Sequence, residues 1–398
     1  AVEAAREGGK PLMDSLVEVD RAIDGVRLCV ETLRTQGGGE IPMNLNAASA
    51  GRIAYTRIEP AGVVVAFSAF NHPLNLIVHQ VCPAVAAGCP VIVKPAEATP
   101  LSCMRIVGIL REAGLPDRWA QAMLTTGHEV SAALVNDERV AFFTFIGSGR
   151  VGWMLRSQLA PGTRCALEHG GAAPVIVAAD ADIENTLPLL TKGGFYHAGQ
   201  VCVSVQRVFA HGSVVRSVAE GLAGLAVELK VGDPVKPDTE VGPLIRPAEV
   251  QRVDEWVQEA TDEGAELLCG GRPVSDTCYA PTVLLNPPEN ARVSNAEIFG
   301  PVVCVYDFDD IDDAIDRANA LPFAFQSSVF TRDIDTAIRV SQRLAASAVM
   351  INDHTAFRVD WMPFAGLRQS GLGIGGIPYT MDDMQVEKLV VIRSPHLV

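Results

Sequence analysis

From Gly62 to Gly170 short β-branched runs alternate with longer segments of helical period. That alternation limits the fold more than anything else in the chain. Strands joined by helical crossovers pair in parallel, and a parallel sheet must be covered on both faces. The spacing predicts strands at Val63–Ser68, Pro90–Lys94, Trp119–Leu124, Val140–Phe145 and Thr163–Glu168. Ligands of such open sheets bind beyond the carboxyl ends of the strands. Asn71, Lys94, Gly147 and Glu168 all fall at those ends.

A second α/β unit follows from Gly171 to about Gly373, with strands expected at Val175–Ala178, Arg207–Ala210, Val302–Tyr306, Ser328–Phe330 and Val349–Asn352. Ahead of both units, residues 11–36 have helical period, and Val19, Ile23, Val26, Val30 and Leu33 share one face. Two extended segments, Glu40 to Asn44 and Arg52 to Pro60, are joined by the small residues Ala47 to Gly51. A further apolar strand is expected at Leu389–Ile392. A net charge of −15 argues against nucleic acid, whose phosphates require a basic face. No apolar run approaches the ~18–20 residues that span a bilayer. Nine scattered cysteines without a CxxC pair fit neither a disulfide framework nor a zinc site, and the eight histidines have no ligand spacing. A reducing, cytoplasmic setting without a metal is expected.

The chemistry concentrates at Gly199-Gln200-Val201-Cys202 and Leu167-Glu168-His169-Gly170-Gly171. A thiol on a turn after glycine can approach an electrophile closely, which makes Cys202 a candidate nucleophile. A carboxylate at a strand end before two glycines can face a cavity, which makes Glu168 a candidate base. Read singly, each has a plain alternative: Cys202 as a buried thiol and Glu168 as a surface acid. Gly147-Ser148-Gly149-Arg150-Val151-Gly152 formally matches GxGxxG, but after the fourth strand of its unit instead of the first.

Taken in order, these segments resemble the signatures of the NAD(P)-dependent aldehyde dehydrogenase superfamily. The others are Phe70-Asn71-His72-Pro73, Lys94-Pro95-Ala96-Glu97, Glu297-Ile298-Phe299-Gly300-Pro301-Val302, and Pro363-Phe364-Ala365-Gly366 with Ser370-Gly371. The resemblance covers essentially the whole chain. It implies a Rossmann-like parallel-sheet cofactor domain (1–39 and 61–170), a second α/β catalytic domain (171–375) and a small β oligomerisation element (40–60 and 386–396). In the family that element pairs with the C-terminal strand of a neighbour, so a homodimer or homotetramer is expected. Members normally carry a further helical and strand segment before the residue numbered 1 here.

By the same resemblance, Cys202 forms a thiohemiacetal and then a thioester, Asn71 stabilises the oxyanion, and Glu168 activates the hydrolytic water. Lys94 and Glu97 reach the adenosine ribose, Gly147 and Ser148 the pyrophosphate, and Glu297 and Phe299 the nicotinamide ribose and ring; Gly149 and Gly152 are left as helix-packing glycines. A carboxylate beside the ribose repels a 2′-phosphate, so NAD is expected over NADP, although Lys94 and Glu97 are on their own an ordinary surface pair. The stretch Asn352 to Phe364 and His72 resemble the subgroup acting on small anionic or hydroxylated aldehydes, including phosphonoacetaldehyde and lactaldehyde dehydrogenases. Arg358 and His72 would then hold an acid group, with Phe357 and Tyr196 lining the pocket; the alternatives are a structural ion pair and a turn residue. Val201 departs from phosphate- and phosphonate-using relatives, which tend to place arginine before the cysteine. A non-catalytic homologue on this scaffold is the competing reading, opposed by the intact thiol, carboxylate and amide.

Overall fold

The structure is a computed structural model and describes residues 1–125 and 127–397. Its first sheet has six strands, in the spatial order Gly371–Leu372, Arg164–Glu168, Val140–Ile146, Val63–Phe67, Val91–Lys94 and Ala120–Ala122. All pairs are parallel except the short Gly371–Leu372 strand, which runs antiparallel to Arg164–Glu168. The chain starts in the middle of this sheet at Val63–Phe67, builds outward to one edge, and returns to build the other. The crevice where direction reverses lies beyond Phe67 and Ile146, where such sheets bind ligands.

A second sheet has seven strands in the order Glu266–Cys269, Thr282–Leu285, Val302–Phe308, Val205–His211, Ala173–Val177, Gln326–Phe330 and Ala348–Ile351. Only its first pair is antiparallel. Its central strands are buried on both faces even where polar residues stand in them, as Gln206, Arg207 and Gln326 do. Every strand expected from the sequence occurs, with ends shifted by a few residues. The pair Glu266–Cys269 and Thr282–Leu285 was not anticipated.

Two expectations change. The C-terminal strand, Gln385–Arg393, pairs antiparallel along its whole length with Arg52–Pro60 of the same chain, not with that of a neighbour. Glu40–Ile41 completes a three-stranded sheet on the other side of Arg52–Pro60. The second change concerns the helix Leu12–Thr35, whose apolar stripe faces outward: Ile23, Val26, Val30 and Leu33 are exposed. Its inward face is small or polar, with Glu18, Ala22, Gly25 and Cys29 buried. The cause is close packing and an ion pair. Gly25 sits where a Cβ would lie 3.3 Å from Val78, and Glu18 meets the buried ammonium of Lys10 at 2.9 Å. Among the described residues no helix is long and apolar enough to cross a membrane.

Candidate active site

Cys202 follows a tight turn in which His197, Ala198 and Gly199 all have left-handed backbone, at φ 48°, 54° and 69°. Two of these are not glycine, a conformation held only where surroundings over-determine it. At Gly199 a Cβ would lie 2.1 Å from the carbonyl oxygen of Gly300, so this glycine joins the cysteine turn to the Glu297–Val302 segment. The thiol packs against an apolar cluster of Val201, Val203, Phe325 and Phe364. Burial there pushes it up to about 12, opposed by Arg358 and reinforced by Glu168 and Glu297. The nucleophile candidate therefore rests protonated.

Glu168 ends its strand close enough to Cys202 for its charge to act on the thiol. Burial raises its carboxyl above the usual range, and Arg358 pulls the other way. The glycines near it serve a purpose the sequence did not disclose. A Cβ at Gly375 would come within 2.3 Å of a Glu168 carboxylate oxygen, and one at Gly170 within 1.6 Å of Glu297 Oε1. Gly170 thus makes room for Glu297, which accepts the Gly171 N–H at 3.1 Å. Glu297 is pushed up to about 7 by burial, against that N–H and Arg252. Phe299, itself at φ 48°, meets Phe70 edge to face at 5.8 Å.

Asn71 is buried and donates one amide hydrogen to the Gln200 carbonyl at 2.9 Å, which fixes its side chain beside the cysteine turn and leaves its second hydrogen available. Lys94 approaches Glu97 at 3.7 Å, with Glu97 64% exposed, and lies 5.8 Å from the centre of the Phe67 ring. Ser148 caps the helix Gly149–Arg156 by its backbone alone, so the first N–H groups of that helix carry no side-chain cap. These open N–H groups at a strand end suit a pyrophosphate. Gly152 is a packing glycine as expected: a Cβ there would overlap His169 at 2.0 Å.

Arg358 lies over the Phe364 ring at 3.6 Å and reaches His79 Nδ1 with Nη2 at 3.3 Å. Its Nε is buried without a hydrogen-bond partner. Among the described residues Arg358 makes no ion pair; the ion pair nearby belongs to Asp360, which receives Arg21 at 2.6 Å and His79 at 2.8 Å. Burial holds His79 neutral, down to about 4, with Arg358 adding to the effect and Asp360 opposing it. His72 stacks on Tyr196 at 6.0 Å, and Tyr196 also lies under the ammonium of Lys192 at 4.7 Å. Phe357 is 43% exposed.

Arg21, His79, Asp360, Lys10 and Glu18 were missed in the sequence. Arg21 and Asp360 are 339 positions apart, and neither belongs to a recognisable local pattern. Among the described residues there is no cluster fit to hold a metal and no disulfide; the nine cysteines are free. A cleft of about 600 Å³ lined by Trp153, Arg156, Cys165 and Asp383 holds no member of the thiol, carboxyl and amide set.

Two largely parallel sheets that bring a half-buried thiol, a carboxyl group and a side-chain amide together are the arrangement of a dehydrogenase working through a covalent cysteine. The chain belongs to the aldehyde dehydrogenase family, whose model matches residues 1–390. A 3-sulfolactaldehyde dehydrogenase of Priestia aryabhattai is 37% identical over 389 residues, which is 98% of this chain and 81% of that protein. A lactaldehyde dehydrogenase of Methanocaldococcus jannaschii is 34% identical over 394 residues, 98% of this chain and 83% of that one. Among solved structures, aldehyde dehydrogenase 21 of Physcomitrella patens, in complex with succinate, superposes with a TM-score of 0.95 at 36% identity, covering all of this chain and 82% of the other. The protein is an enzyme that oxidises aldehydes, and the family uses NAD(P).

Proposed function

We propose that this enzyme oxidises a short aldehyde with an anionic or hydroxylated end to its carboxylic acid. The observation that carries the reading is Arg358: a half-buried guanidinium near Cys202 and Glu168 whose buried Nε has no acceptor among the described residues. A cation enclosed this way is costly unless an anion completes it. An acid group on the substrate supplies the oxygens, and Arg21 and His72 border the same space. Relatives named for sulfolactaldehyde and lactaldehyde are in keeping with such a substrate.

In the mechanism, Cys202 gives its proton to solvent water and its thiolate attacks the aldehyde carbon, giving a thiohemiacetal alkoxide whose oxygen is stabilised by the free amide hydrogen of Asn71 and the Cys202 N–H. Each such donor is worth about 3 kcal/mol in the transition state. When bound, the nicotinamide cofactor supplies the hydride acceptor. Loss of hydride leaves a thioester on Cys202. Glu168, ionised, takes a proton from water, whose oxygen attacks that thioester; the acid departs and the thiol is restored.

Lys94 and Glu97 would hold the adenosine ribose, Gly147 and Ser148 the pyrophosphate, and Glu297 and Phe299 the nicotinamide end. Glu97 favours NAD over NADP by charge. The 6-stranded sheet with residues 1–39 is the cofactor domain, and the 7-stranded sheet is the catalytic domain. Gln385–Arg393 is an edge strand with Leu389, Val391 and Ile392 exposed, a template for pairing with a second subunit. A homodimer or homotetramer in a reducing, cytoplasmic compartment follows from that edge and the free thiols. Reduced-cofactor absorbance with a panel of short charged and neutral aldehydes tests the function, with Cys202→Ala as the control. Turnover by the Cys202→Ala protein would sink the mechanism, and a preference for long apolar aldehydes would sink the substrate class.

A further inference from the structure

Behind the Asn71–His72 loop lies a fully buried lysine. Lys10 has 0% exposure and Glu18 1%, and their 2.9 Å contact is an ion pair sealed from solvent. Glu18 also accepts the N–H groups of Leu74 and Asn75, both at 2.9 Å, and so caps the helix Asn75–Ala86 that starts just after His72. The ammonium also faces the Tyr196 ring at 5.4 Å and reaches the substrate loop itself: Lys10 Nζ lies 2.7 Å from His72 Nδ1.

An ammonium donates hydrogen bonds and accepts none. The nitrogen it meets must therefore carry a lone pair. We propose that Lys10 is a positioning residue for substrate selection: its ammonium, fixed by Glu18, holds His72 Nδ1 as an acceptor, so the ring keeps its one proton on Nε2 and offers a neutral donor to an acceptor oxygen on the aldehyde's chain. This rests on the reading of His72 as a substrate contact. Nε2 has no hydrogen-bond partner among the described residues and, unlike both nitrogens of His197, is not enclosed.

A second proton on this ring would have to displace the Lys10 contact. It would also place a new cation among Lys10, Arg21 and Arg358, with His197 and the Tyr196 ring as the other neighbours. The nearest carboxylates are committed, Glu18 to Lys10 and Asp360 to Arg21. Burial and then the Lys10 charge accordingly hold His72 well below the usual histidine range. His72 thus contributes a directional donor whose state does not change with pH, while the arginines contribute charge.

The test is nitrogen NMR of the intact enzyme with labelled histidine, assigned by His72→Gln. The expected spectrum has a bare Nδ1 and a protonated Nε2 for His72, unchanged from about pH 8 to about pH 5.5, across the ordinary histidine range. Kinetics supply the second arm, as the ratio of kcat/KM for 4-oxobutanoate to that for butanal. In the wild type this ratio should be flat across the same span. In Lys10→Met the ring can place its one proton on either nitrogen while burial, Arg21 and Arg358 still oppose a second, so the ratio should fall several-fold at every pH. A wild-type ring protonated on Nδ1, or titrating near 6.5, overturns the proposal, and that result needs no variant to fold. So does a Lys10→Met enzyme with the same tautomer and the same flat ratio. If His72→Leu leaves the substrate ratio unchanged, the substrate contact fails and the selection claim with it, even with the tautomer as stated; a wrong tautomer with a large His72→Leu effect removes the lock alone.

Discussion

Arg358→Met separates recognition of charge from the chemistry beside it. The guanidinium lies on Phe364 at 3.6 Å and has one side-chain partner, His79, at 3.3 Å. Methionine retains the apolar stem and removes the charge. Truncating one partner of a desolvated, hydrogen-bonded charge pair costs about 2–5 kcal/mol. At about 1.36 kcal/mol per factor of ten, kcat/KM for an anionic aldehyde should fall roughly 30- to 5,000-fold relative to a neutral aldehyde of equal length. Both substrates should also share a smaller loss. Arg358 is the charge that opposes the upward shifts of Cys202 and Glu168, so its removal makes the thiol harder to ionise and moves the acid limb of the pH profile upward for both. Dividing one substrate's loss by the other's cancels that shared part. Thermal melting is the control: a buried cation with no carboxylate partner contributes little to the empty fold, and its replacement by an apolar side chain is often neutral or stabilising. A folded variant in which both substrates fall equally would refute the anion reading and leave Arg358 as an electrostatic aid to Cys202 and Glu168. If neither falls, the guanidinium lies outside the reaction.

Cys202→Ala should abolish turnover, and wild-type enzyme free of cofactor should react slowly with iodoacetamide at Cys202, because a thiol at about 12 is ionised in only about one molecule in 10⁵ at pH 7; rapid labelling at neutral pH would contradict the buried, protonated resting state. Asn71→Ala should lower kcat by about 10²–10³ with little change in cofactor binding, the loss expected for one oxyanion donor; a normal kcat removes Asn71 from that role. Glu168→Gln should give one equivalent of reduced cofactor per site in a burst, then slow turnover, and loss of the burst itself would assign Glu168 to thiol activation. His79, at about 4 when folded against an ordinary 6.5, takes up its proton more readily in the unfolded chain. Its contribution is therefore present above pH 6.5 and lost as pH falls to about 4, a decline of up to roughly 3 kcal/mol in unfolding free energy; urea melts of wild type and His79→Gln across that range should converge at the acid end.

What the sequence disclosed and what it withheld follow from the range of the forces involved. Strands such as Val140–Ile146 and Ala173–Val177 are legible because both faces are buried and local composition records it. Cys202, Glu168 and Asn71 stand out because the turns and strand ends that carry them are local. The outward stripe on Leu12–Thr35 was unreadable in orientation, since period says which residues share a face but not which face goes in. The inward choice was decided by Lys10 meeting Glu18 and His72, and by Gly25 meeting Val78, contacts with distant parts of the chain. The same holds at the substrate end. Arg358 could be picked from the sequence as a cation, but its lack of a carboxylate partner depends on Asp360 being taken by Arg21 and His79. Aspartate two residues after arginine would suggest that the two neutralise each other. The fold instead gives that aspartate to a helix at the far end of the chain and to His79, so that among the described residues the arginine has no carboxylate partner of its own.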